Sequence, residues 1–135
     1  MLKSMIPFAL ASALLVPGLA QARQAEDAAR YARAFQRGFA QPAPPRTLAE
    51  EARCSAAWQV TWSIYWINTT APLPTGYDRK MLKAQSEAWF DRLHDQGETG
   101  EAAFQKADAE IIQPLAQAGQ REKVLEIAGA CGRRE

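Results

Sequence analysis

Apolar residues recur every three or four positions along most of this chain, the period of helices that bury one face. Over residues 23–40, Ala28, Ala32, Phe35 and Phe39 share a stripe, and Arg30, Arg33 and Arg37 repeat on another. Glu26 stands four residues before Arg30 as an ion-pair partner, so this segment reads as an amphipathic helix. Its Arg stripe reads as a solvated face, with acidic lipid or an acidic partner as the alternative. Gln41-Pro42-Ala43-Pro44-Pro45 ends the helix, because residues before proline are pushed to extended backbone. The resulting stiff linker leaves the first helix to dock separately or loosely.

Thr47-Leu48-Ala49-Glu50 has the form of a capping box and opens a second helix running to about Ile67. Two periods compete here. Trp58, Val60, Trp62, Ile64 and Trp66 alternate with polar neighbours, as in a strand, whereas Glu51, Ser55, Gln59 and Ser63 form a four-residue polar stripe, as on a helix. A lone strand would leave its backbone groups unpaired, and nothing else in the chain resembles a partner strand. The segment is therefore read as a helix.

Asn68 to Gly76 is a loop punctuated by Pro72, Pro74 and Gly76. Asp78 starts a third helix through about Gln96, with Leu82, Trp89 and Leu93 on its core face and Gly97 as its stop. Thr99 is the predicted cap of a fourth helix carrying Phe104, Ala107, Ile111 and Leu115, which Pro114 should kink or break between Ile111 and Gln113. After Gly119, Val124, Ile127, Ala128 and Cys131 share a face of the last helix. Short connections favour antiparallel neighbours, so the expected fold is all-α: a small antiparallel bundle of four to five helices.

The beginning of the chain adds an address. Met1-Leu2-Lys3-Ser4 is a positive start, Met5 to Val16 is apolar, and Ala20-Gln21-Ala22 supplies the small residues of a signal-peptidase site. The run is shorter than the roughly 18 apolar residues of a membrane span, and no cysteine follows the cut as a lipoprotein signal requires. The expected organisation is a signal peptide at 1–22, an N-terminal amphipathic helix and Pro-rich linker at 23–46, and a bundle domain at 47–135. Cleavage after Ala22 leaves a soluble protein of the bacterial periplasm or exterior. It also removes Lys3, so 15 basic residues balance 15 acidic ones and no cationic surplus suggests nucleic acid. Cys54 and Cys131 are the two cysteines, in no CxxC arrangement, and an oxidising compartment favours joining them.

Catalytic signals are sparse. His94 is the single histidine and lies near Glu87, Asp91, Asp95 and Glu98 in sequence; without a second histidine this reads as a solvated ridge, with an acid–base or metal role as the alternative. No GxSxG elbow is present, and no metal or cofactor is expected. The unusual stretch is Cys54 to Tyr77, which is uncharged and holds three of the four tryptophans. Trp58, Trp62 and Trp66, with Tyr65 beside them, are the candidate apolar contact surface; core is the competing reading, since each aromatic buries about 150–250 Å². Trp62 is the expected core anchor, with Trp58 or Trp66 partly exposed. The expected function is non-enzymatic binding of a protein partner, in a chaperone-like, adaptor or inhibitor role. The alternative is a carrier of an apolar small molecule in a Trp-lined pocket; an enzyme using His94 ranks last.

Overall fold

The capping box at Thr47 forms as its residue types require. Thr47 Oγ accepts the Glu50 N–H at 3.2 Å, and the Glu50 carboxylate accepts the N–H groups of Arg46 at 2.8 Å and Thr47 at 3.1 Å. The Arg46 bond, followed by those from Thr47, holds the Glu50 carboxyl below its ordinary range. The helix so opened, α2 (Leu48–Ile67), is the centre of the fold. In this computed structural model, which describes residues 6–134, α2 packs against four other helical segments. These are α3 (Arg79–His94), α4 (Gly97–Ala107), the π-helical segment Asp108–Ile112 that follows it, and α6 (Arg121–Cys131). α1 (Ile6–Ala40) packs on α6, and α5 (Gln113–Gln117) continues from the π-helical segment. Among the described residues the chain is all-helical with no strand, and α4 through α5 forms one continuous rod, making five rods.

The centre of such a bundle needs a length of helix without charge, and α2 carries none after Arg53. Cys54, Trp58, Thr61 and Tyr65 recur at helical spacing and are all buried. Neighbours on most sides also dry out Ser55, which the polar stripe had placed at the solvent edge; it is fully buried, while Ser63 nearer the C-terminus stays exposed.

Contacts along each pair give the directions. Arg92 meets Glu51 and Arg79 meets Asn68, so α2 and α3 form an antiparallel hairpin across their short loop. α1 and α6 differ. Arg30 pairs with Glu122, Gly38 abuts Glu126 and Ala130, and the Ala43 N–H donates to the Ala130 carbonyl at 2.8 Å, so the two run in the same direction. The antiparallel expectation rested on short loops, and nothing of the kind joins these two. Docking of α1 is also intimate rather than loose: Phe35 is fully buried in the core. The ion pair of Arg30 within α1 is with Asp27, not Glu26.

α1 runs through Pro17 and Gly18 and past Ala22 without a break; residues 1–5, the start of the expected signal segment, lie outside the described residues. Among the described residues no helix is long and apolar enough to cross a membrane.

Three local expectations are corrected. α3 ends at His94 rather than Gln96, and Thr99 lies inside α4, which begins at Gly97 without a side-chain cap. Pro114 acts earlier than a simple kink would. Having no N–H, it cannot bond the carbonyl four residues back, and the chain widens into π turns over Asp108–Ile112, where the Gln113 N–H reaches the Asp108 carbonyl. The inserted residue shifts the phase of the helix. Ile112 becomes fully buried, and Ile111, expected on the core face, is 40% exposed. The predicted bridge forms: Cys54 and Cys131 are joined, with Cα atoms 5.9 Å apart, tying the first half of α2 to the end of α6.

Candidate functional site

The aromatic stretch divides along α2. Trp58 is fully buried and stands edge-on to Phe35, ring centroids 5.5 Å apart; Tyr77 packs edge-on against the same Phe35 at 5.2 Å. Tyr65, one step along the same stripe, is also fully buried. Its hydroxyl has no partner among the described residues, and burial pushes the phenol up to about 12. Trp58 is therefore the core anchor, in place of Trp62. The helical phase decides this, because Trp58 falls on the stripe with Cys54, Thr61 and Tyr65, and Trp62 falls one position off it.

Trp62 is half-buried at the rim, with the Arg79 guanidinium 5.9 Å from its ring centroid. The same Arg79 donates to the Asn68 carbonyl at 3.4 Å and so covers the end of α2. Beyond this rim, Trp66 is 53% and Ile67 84% exposed, the largest apolar exposure on this helix. Of the four aromatic candidates, the structure leaves Trp62 and Trp66 at the surface and encloses Trp58 and Tyr65. Ile67 was missed. Its signal was present, as the last residue of the helix, at the end of an uncharged stretch with only a loop following it.

Next to Ile67 a groove of about 460 Å³ opens between α1, α2, α5 and the start of α6. Tyr31, Val60, Ile64 and Ile67 give it an apolar wall, and Asn68 and Arg121 stand on its polar side. None of the tryptophans lines it. Such a groove could not be read from sequence, because its walls come from four elements whose relative placement is a tertiary property.

His94 does not gather the acidic residues near it in sequence. Its Nδ1 is 3.8 Å from a carboxylate oxygen of Glu101 on α4, its ring lies nearly parallel to Phe90 at 6.1 Å, and its side chain is largely exposed. Among the described residues no group of three His, Cys, Asp or Glu side chains converges as a metal ion would need. No protein-family model, curated protein or solved structure matches this chain.

Proposed function

We propose that residues 1–22 are a secretory signal removed after Ala22, and that the mature protein is a non-enzymatic binding protein of the bacterial periplasm. It takes a protein partner on the apolar end of α2, in a chaperone-like, adaptor or inhibitor role. The observation that carries this reading is the joint exposure of Trp66 and Ile67 at the end of the uncharged part of α2, whose other apolar side chains are in the core or at its rim. Tryptophan is enriched among the few residues that dominate interface energetics, and covering such side chains yields about 25 cal/mol per Å² of apolar area removed from water. The Cys54–Cys131 bridge supports an oxidising compartment. The test compares wild type with Trp66→Ala and Ile67→Ser for suppression of aggregation of an unfolded client and for cross-linking to periplasmic proteins. Loss of both in stably folded variants is the expected result, and unchanged capture would remove the reading.

The 460 Å³ groove favours carriage of an apolar small molecule as the second reading, since its size lies in the range of ligand sites. Saturable uptake of a fluorescent fatty acid, lost in Ile64→Asp, would select it over partner binding.

A further inference from the structure

A second groove, of about 360 Å³, follows α6, where Lys123, Ile127 and Ala130 recur at helical spacing. Leu115 of α5, Ala43 of the linker and Arg53 of α2 supply its other walls, and it shares no lining residue with the groove beside Ile67. The walls are tied together. The Ala43 N–H donates to the Ala130 carbonyl at 2.8 Å, and Arg53 directly precedes Cys54, whose bridge to Cys131 holds this part of α2 against the end of α6. Leu115 and Ile127 pack against the core and, with Ala43 and Ala130, give the groove an apolar floor.

The charge around that floor has one sign left over. Arg53 and Lys123 line the groove and stand in no ion pair among the described residues, whereas Glu126, the carboxylate on its wall, lies 3.9 Å from Arg37 of α1. Glu50, one turn before Arg53, feels the Arg53 charge, but its carboxylate accepts the N–H groups of Arg46 and Thr47. Arg53 is half-buried. Among its nitrogens Nε alone is buried, so Nη1 and Nη2, which have no protein partner among the described residues, are the ones a ligand can reach. A cation drawn partly out of water without a counter-charge costs free energy that a bound anion offsets. The guanidinium fork matches the two oxygens of a carboxylate, and the apolar floor matches an alkyl chain. A concave groove of this size encloses one chain, whereas docking on a membrane needs an apolar face that enters the headgroup boundary.

We propose that this groove binds a free alkyl carboxylate of the fatty-acid type, its chain on Leu115, Ile127 and Ala130 and its head at Arg53, with Lys123 as a flanking cation. The site is separate from the apolar end of α2 and from the groove at Ile64, and stands whether or not either is occupied.

The test uses the full chain with decanoate as probe, decanol and decyltrimethylammonium as its uncharged and cationic counterparts, and methyl signals in NMR beside thermal melting as readouts. Decanoate is expected to shift the Leu115 and Ile127 methyl signals saturably, leave those of Ile64 in place and raise Tm, because a ligand of the native state stabilises it. Decanol should bind about tenfold more weakly, and the cation more weakly still. Vesicles of phosphatidylglycerol should leave the Ile127 methyls unmoved. Arg53→Gln should weaken decanoate about tenfold and leave decanol unchanged, which a loss of structure alone would not do. Lys123→Gln, at an exposed position, should weaken decanoate less and serves as the variant if Arg53→Gln fails to fold. No saturable shift, shifts centred on Ile64, equal affinity for decanol or the cation, a response to vesicles in place of decanoate, or wild-type affinity in all folded variants would each overturn the assignment.

Discussion

Gly38 and Gly129 bring the backbones of α1 and α6 into contact from both sides. A Cβ on Gly38 would collide with the Glu126 carbonyl, and one on Gly129 would collide with the Phe35 carbonyl. Each glycine therefore makes room for the other helix's main chain. Phe35, whose carbonyl meets Gly129, is the residue whose ring meets Trp58. The close crossing and the aromatic core are consequently one arrangement, and the Arg30–Glu122 and Arg37–Glu126 pairs only border it, since all four side chains are substantially exposed.

Alanine normally favours a helix over glycine by about 1 kcal/mol. At these two positions the sign should reverse. Gly38→Ala and Gly129→Ala are each expected to destabilise by about 1–3 kcal/mol, the cost of forcing atoms into a packed contact. Urea titration measures it, and the double variant should cost less than the two singles together, because one separation of the helices relieves both collisions. A gain in stability in either single variant would remove the close-crossing account.

What could be read in advance was local. The box at Thr47 and Glu50, the helix start at Asp78 and a disturbance before Pro114 all depend on residues a few positions apart; the first two form as read, and the third comes earlier and without a break. The disulfide was legible because two cysteines allow one pairing. What depended on several elements meeting was not legible. Trp58 shares a stripe with Cys54, Thr61 and Tyr65 and Trp62 does not, but which stripe of α2 faces inward is set by where Phe35 and Tyr77 arrive. Leu125 and Gly129 were absent from the expected face of α6 because that helix is packed on two sides, by α1 and by α2. The contact of the Arg134 guanidinium with the Trp89 ring, 5.0 Å from its centre, joins α3 to the residues after α6, and no spacing rule connects them.

The bridge closes a loop with a sequence separation of 77. In the chain-entropy account this removes about 4–5 kcal/mol of freedom from the unfolded state. Cys54→Ser with Cys131→Ser should lower stability by an amount of that order, a large share of the roughly 5–15 kcal/mol typical of a domain. Melting of the double variant beside the oxidised and reduced wild type measures it. Equal Tm values in all three would show that the bridge contributes nothing.

The three tryptophans of α2 should separate on substitution. Trp58→Ala removes a fully buried ring and should cost about 3–5 kcal/mol. Trp66→Ala, at a position 53% exposed, should stay within about 0.5 kcal/mol of wild type. Trp62→Ala should fall between them, from its half-buried ring and the Arg79 contact. Denaturant melts of the three single variants give the order, and equal losses would contradict the burial on which the contact surface depends.

Tyr65 makes the alkaline limb of stability testable. Its phenol is pushed up to about 12 by burial, whereas an exposed tyrosine in the unfolded chain ionises near 10. Below about pH 10 both states are protonated and stability is unaffected by this group. As the pH rises from about 10 to about 12, the unfolded chain loses the proton and the folded one keeps it, so stability falls by something of the order of 2–3 kcal/mol. Tyr65→Phe removes that titration and also removes a buried hydroxyl that has no partner among the described residues. The variant should therefore be as stable as wild type or more so near pH 7, because no hydrogen bond is lost and an uncompensated polar group is gone. Above pH 10 the gap between the two should widen in favour of the phenylalanine. Tm measured across pH 7–12 for both proteins decides it, and parallel profiles would mean that Tyr65 ionises as freely in the folded protein as in the unfolded chain.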